Sequence, residues 1–206
     1  MKPTSHNASP ISRLPQRQRG YRRVAALLES AENVFSEKGY DAATMTEIAL
    51  RAGSSIGSLY QFFPTKDLLA NALLLQYSES LFQRFDALEN EAKSMSLEKL
   101  ATRLFRMLID FRADHPAMEV LIEAKRIPAD QTVKIRNRLR RYITDILKHR
   151  GATRKIAALE PVAAAILQVM KLAAAINAEP DLPSRKIVLD ELRTMLLLYM
   201  SDRMTH

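Results

Sequence analysis

The chain has no cysteine. That removes disulfides, thiol nucleophiles and thiolate metal sites, and it suits a reducing cytosol. Histidine is sparse too: His6, His115, His149 and His206 are scattered, with no spacing that would bring two of them onto one metal ion. No apolar run approaches the roughly 20 residues needed to cross a bilayer. The N-terminus is broken by Pro3, Pro10 and Pro15 and lacks the apolar core of a signal peptide. The expectation is therefore a soluble, cytoplasmic protein with no membrane partner. Runs of alternating or β-branched residues, paired carboxylates at a telling spacing and phosphate-binding loops are also missing. The chain reads as all-α, not as an enzyme, and as needing no cofactor.

What is abundant is positive charge. The net charge is +8 and the pI about 9.8, which favours a polyanionic partner without identifying it. The charge is one-sided at the start, where Lys2, Arg13, Arg17, Arg19, Arg22 and Arg23 precede any acidic residue. Residues 1–20, poor in large apolar side chains, read as a disordered basic arm drawn to phosphates or to a minor groove. From Arg22 to Lys38, Val24, Leu27, Leu28, Ala31, Val34 and Phe35 recur at helical spacing, with Gly39 as a stop.

The most structured signal lies between Thr44 and Lys66. Thr44 and Glu47 have the spacing of a capping box, in which each side chain satisfies the other's backbone N–H, so a helix is predicted from Met45. Ile48 and Ala49 point inward, and Gly53 suits the left-handed residue that ends a helix. Ser54 or Ser55 can cap a second helix, on which Leu59, Phe62 and Phe63 fall on one face. Pro64 stops it, and Thr65 can cap the next. Two short helices joined by a glycine-bearing turn make a helix-turn-helix, whose second member enters the major groove. Residues 53–57 also spell G-x-S-x-G, the serine-hydrolase elbow. That motif needs a preceding strand and a sheet, and a helix precedes it here.

With the preceding E-N-V-F-S-E-K-G-Y-D-A-A, the block through Leu69 resembles the DNA-binding domain of the TetR family of bacterial transcriptional repressors. T-x-x-E-I-A, G-S-S-I-G-S-L-Y-Q-F-F and P-T-K-D-L-L occur in order at the family's spacing. Two positions depart from its pattern. Ser54 stands where an apolar residue is usual, and Phe62 where a tyrosine or histidine is common. The resemblance implies a helix-turn-helix domain over 21–66, followed by a helical effector-binding and dimerisation domain over 67–206.

On the predicted helix pair, Thr44, Ser58, Tyr60 and Lys66 are the expected phosphate and sugar contacts, since hydroxyls and an ammonium near helix N-termini suit phosphate oxygens. Ser55, Ile56 and Gln61 are the expected base readers: Gln61 can pair bidentately with adenine and Ile56 can touch a thymine methyl. Gly57 lets the backbone approach the duplex, and Thr46 completes the set.

The next helix, from Lys66 to about Lys93, would turn Leu69, Ala72, Leu73, Gln76, Leu81, Phe85 and Leu88 inward and span on the order of 40 Å, a mechanical link between head and body. Further helices are predicted at 96–114, 116–127, 130–150, 160–177 and 184–204. The one at 130–150 carries Lys134, Arg136, Arg138, Arg140, Arg141, Lys148 and Arg150, read as a solvated face. The last two are apolar beyond a single stripe, from Val162 to Ile176 and from Met195 to Met200, so each needs two burial surfaces. In proteins similar to this one the final two helices pair with a second copy. A homodimer would present two reading helices to a near-palindromic duplex about one turn of DNA, 34 to 36 Å, apart. The resemblance further implies a small apolar or amphipathic effector of unidentified chemistry in a cavity lined by residues such as Phe82, Phe85, Leu104, Phe105, Leu108, Phe111, Met118 and Leu121. The alternative is the same fold without such an effector, regulated by a protein partner.

Overall fold

The computed structural model describes residues 16–124, 129–151 and 156–205. Among these, every regular element is a helix: α1 (Gln16–Ala42), α2 (Met45–Arg51), α3 (Ile56–Phe62), α4 (Lys66–Ala92), α5 (Leu97–Asp114), α6 (Ala117–Glu123), α7 (Ala129–His149), α8 (Ile156–Ala178) and α9 (Arg185–Thr205). Most of the predicted arm, with Lys2 and Arg13, lies outside the described residues, as does Ile127. The arm's expected end at Gly20 is corrected, because residues 16–20 already belong to α1. Gln and Arg there are good helix formers and simply extend the first stripe backward.

Helix α1 buries Leu27, Leu28, Ala31, Val34 and Phe35, as its periodicity predicts, and breaks at Gly39, whose φ of 80° is strained for any other residue type. It packs against α2 and α4, and also against α6 of the body. The Ser30 hydroxyl, buried in that seam, donates to the Ile48 carbonyl at 2.8 Å. Helix α4 buries Leu69, Leu73, Leu81, Phe85 and Leu88 as expected, but Gln76 is exposed. Tyr77, one position on, takes the inward place in that turn, since an aromatic ring gains from burial what an amide loses.

Helix α8 is the centre of the body, packed against α5, α7 and α9, with Leu159, Val162, Ala163, Ile166, Leu167, Met170, Ala173 and Ala174 buried. Contrary to the expectation of no such run, residues 158–178 are long and apolar enough by length and composition to cross a membrane. Packing among three helices buries 44% of its apolar window. The helix begins at Ile156, about a turn before the expected start at residue 160, so Pro161 lies inside it and removes one hydrogen bond. A single apolar cluster runs from Leu27 of α1 to Met200 of α9, joining head and body without a break.

Candidate nucleic-acid interface

Helices α2 and α3 have seven residues each, too short to be stable alone. Each is held by side-chain caps at its start. Thr44 Oγ1 accepts the Glu47 N–H at 3.2 Å, Ser55 Oγ accepts the Ser58 N–H at 3.2 Å, and Thr65 Oγ1 accepts the Leu68 N–H at 3.2 Å to begin α4. Between α2 and α3 the Ser54 N–H reaches the Ala49 carbonyl (2.9 Å) and the Gly53 N–H reaches that of Leu50 (3.1 Å), with Gly53 at φ 60°. This is a Schellman closure, which fixes the angle between the helices.

The capping box is only half made. The Glu47 carboxylate accepts instead from Lys38 (2.8 Å) and Arg51 (2.8 Å), and Arg51 also donates to Glu37 at 2.6 Å. The Lys38 hydrogen bond, with that of Arg51, holds the Glu47 carboxyl below its usual range, and the Glu37 hydrogen bond raises Arg51. This chain of ion pairs locks α1 to α2. The Ser54 hydroxyl sits under the turn, inaccessible and without a hydrogen bond, consistent with an apolar residue being usual there.

Helix α3 buries only Leu59. Ser55, Ile56 (39% exposed), Gly57, Tyr60 (48% exposed) and Gln61 all reach solvent, as do Thr44 and Thr46 at the start of α2. Nothing lies within 4 Å of where a Cβ on Gly57 would stand, so its backbone is open to close approach. Ser58 is half-buried, and Arg23 of α1 donates to its hydroxyl at 3.4 Å. Arg19, Arg22 and Arg23 are exposed on α1, so part of the basic arm is a rigid helical edge beside α3. Their three- and four-residue spacing was the signal for this, once the helix is extended past Arg22.

Two residues sit differently from expectation. Phe62 was assigned to the buried face of α3, but it is 39% exposed and lines a shallow cleft with Gly20, Tyr21 and Val24 of α1. Lys66 was expected to contact phosphate. Its ammonium donates to the carbonyls of Tyr40 (2.7 Å), Asp41 (3.1 Å) and Ala43 (2.9 Å) and lies 4.5 Å from the Tyr40 ring. All three donors cap the end of α1, and a phosphate at Lys66 would have to displace one of these bonds.

In the body, a cavity of about 90 Å³ lies among α4, α5, α6 and α7, lined by Leu74, Tyr77, Ser78, Leu81, Phe111, Met118, Thr132 and Ile135. Of the lining residues expected from sequence, Phe111 and Met118 are there. Phe82, Phe85, Leu104, Phe105, Leu108 and Leu121 are instead buried in filled core. Tyr142 stacks on both Phe82 (5.9 Å) and Phe85 (5.7 Å), and the Arg138 guanidinium covers Phe82 at 3.9 Å.

A capped, exposed helix on a glycine turn, flanked by arginines and mounted on a helical body, is a helix-turn-helix arrangement. Residues 27–73 match the family described as bacterial regulatory proteins, tetR family. The chain is 36% identical over 130 residues to the HTH-type transcriptional repressor KstR2 of Mycolicibacterium smegmatis, across 59% of this chain and 62% of the relative. It thus matches a little under two thirds of that relative's length. The whole fold is shared with a TetR-family transcriptional regulator from Pectobacterium atrosepticum (TM-score 0.68, 20% identity, 93% of this chain and 99% of that one). A TetR transcription regulator from Haloarcula marismortui is similar too (TM-score 0.65, 18% identity, 89% and 98%). The family match is thus carried by residues 27–73, and the solved structures share the fold of the rest.

Proposed function

We propose that the protein is a transcriptional repressor that binds a near-palindromic duplex as a homodimer and leaves it when a small apolar or amphipathic effector occupies the body. The observation that carries this reading is the α3 surface. A helix anchored by Leu59 alone, with Ile56, Gly57, Tyr60 and Gln61 open to solvent, has too little burial to be structural and the right exposure to read a groove. The repressor function named for KstR2 supports it. Thr44, Thr46, Ser58 and Tyr60, with Arg23, would hold phosphates; Ser55, Ile56 and Gln61 would read bases.

Dimerisation is supported by α8 and α9. In one chain Leu172, Ile187, Met195 and Leu198 remain exposed, the last at 65%, an apolar face that a second copy would cover. The α4–α7 cavity supports the effector. Its size, well under the roughly 300 Å³ at which drug-sized ligand sites begin, also favours a second reading in which the body answers to a protein partner.

The test is selection of bound duplexes from a random pool, followed by titration at low salt. Tyr60→Ala should weaken binding to every sequence alike, whereas Gln61→Ala should change which sequence is preferred. Sedimentation should give a dimer. A strictly monomeric protein indifferent to duplex DNA at low salt overturns the reading.

A further inference from the structure

Tyr77 and Phe111 line the body cavity on one side and clamp His115 on the other. The His115 ring lies 4.6 Å from the Tyr77 ring, tilted by 39°, and 4.6 Å from the Phe111 ring, tilted by 52°. Its Nδ1 stands 3.1 Å from Glu32 Oε1 on α1, 83 residues away in sequence. With Glu32 ionised, Nδ1 carries the proton and donates it. Burial, with Glu32 close by, also pushes the Tyr77 hydroxyl above its usual range, and that hydroxyl is buried without a hydrogen bond. Both ends of the contact are sheltered, with a quarter or less of each side chain exposed.

We infer that His115 is the positioning residue through which occupancy of the cavity reaches the DNA-binding head. The inference rests on the effector reading above. A cavity of about 90 Å³ cannot accept an effector of ordinary size without moving its walls. Tyr77 and Phe111 are fully buried, so neither ring moves without its neighbours. A ring held at 4.6 Å from two others follows when either swings. A shift of about 1 Å is enough to take a bond of this length out of hydrogen-bonding range. The bond in question is a polar tie beside the α1–α6 seam, where the head leans on the body independently of α4. Its loss frees α1, and with it the arginine edge beside α3, to tilt. Seen this way, α4 is not the sole lever: the head is held at two points, and the cavity sits between them.

Filling the cavity from within tests this without an identified effector. Ser78→Phe enters it from α4 and Ile135→Phe from α7, so a failure of one to fold leaves the other. Each is read as affinity for the selected duplex, alone and combined with Glu32→Leu, which removes the acceptor, or with His115→Phe, which keeps an aromatic ring and removes the donor. Far-ultraviolet circular dichroism and melting control for folding. In the native background a filler should weaken DNA binding by about 5- to 150-fold, the usual range of allosteric coupling. In the Glu32→Leu and His115→Phe backgrounds the same filler should change affinity by less than about twofold, the signature of a broken coupling in a double-mutant cycle. A filler effect of equal size in all backgrounds overturns the role of His115 and leaves the effector reading standing. Fillers that fold and do nothing to the native chain overturn both.

Discussion

The head and the body of this molecule are held together by different physics. In the head, α2 and α3 bury four residues between them, Met45, Ile48, Ala49 and Leu59. Their order comes from caps at Thr44 and Ser55, a Schellman turn at Gly53 and an ion-pair chain from Glu37 to Lys38. In the body, α4 alone buries ten residues and α8 is packed on three sides. A surface proposed to meet DNA has to stay exposed, so burial cannot stabilise it and local hydrogen bonds take over that work. The body carries no such restriction, and its apolar contacts dominate.

The comparison is broken most severely by removing the anchors. Phe85→Ala, in the fully buried stripe of α4, should cost about 3–5 kcal/mol and lower the unfolding midpoint of the whole chain. Leu59→Ala should cost about 2–5 kcal/mol at most, but its effect should be local: α3 loses its one buried side chain, and protection of residues 55–63 from amide exchange collapses before global unfolding. Global and local loss appearing together in Leu59→Ala would mean that the head is no weaker a unit than the body.

The same division explains what could be read from the sequence. Caps, stops and stripes are rules of short range. Thr44, Ser55, Thr65 and Ser96 all cap helices as their spacing says, and Gly39 and Gly53 break the chain where expected. The all-helical fold and the helix-turn-helix were therefore legible. What was not legible depends on partners far along the chain. Glu47 forsakes its capping box for Lys38, Lys66 turns to carbonyls 23 to 26 residues away, and Gln76 yields its inward place to Tyr77. The cavity could not be located either. The sequence marks many apolar residues on α4 and α5, and only packing decides that Phe82 and Phe85 are filled in by Tyr142 while Tyr77 and Phe111 keep a gap. Phe62 failed because a seven-residue helix has too few turns for a stripe to declare which flank is covered.

A smaller perturbation sharpens the contrast between caps. Ser55→Ala and Ser96→Ala make the same chemical change at the starts of α3 and α5, and each should cost about 1 kcal/mol. In α5, seven buried residues hold the helix, so the loss should appear only in the global midpoint. In α3 it should appear as faster amide exchange confined to that helix. Equal and global effects from both variants would argue that α3 is stabilised by contacts other than its cap.

The smallest expected effect is electrostatic and has a defined sign. The Glu47 carboxyl is held below its usual value of 4.5, first by the Lys38 hydrogen bond and then, against some desolvation, by Arg51. A group with a depressed folded-state pKa stabilises the fold at pH values above its unfolded pKa. That contribution is lost as pH falls through the folded one. Native protein should therefore melt slightly above Glu47→Gln at pH 7, with the gap narrowing below about pH 4.5 and closing in stronger acid. Since the pair is solvent-exposed, raised salt should shrink the gap at pH 7 as well. A gap that persists unchanged into acid would show that the stabilisation does not come from ionisation of the Glu47 carboxyl. The charge of the chain from Glu37 to Lys38 would then not be what orders the head.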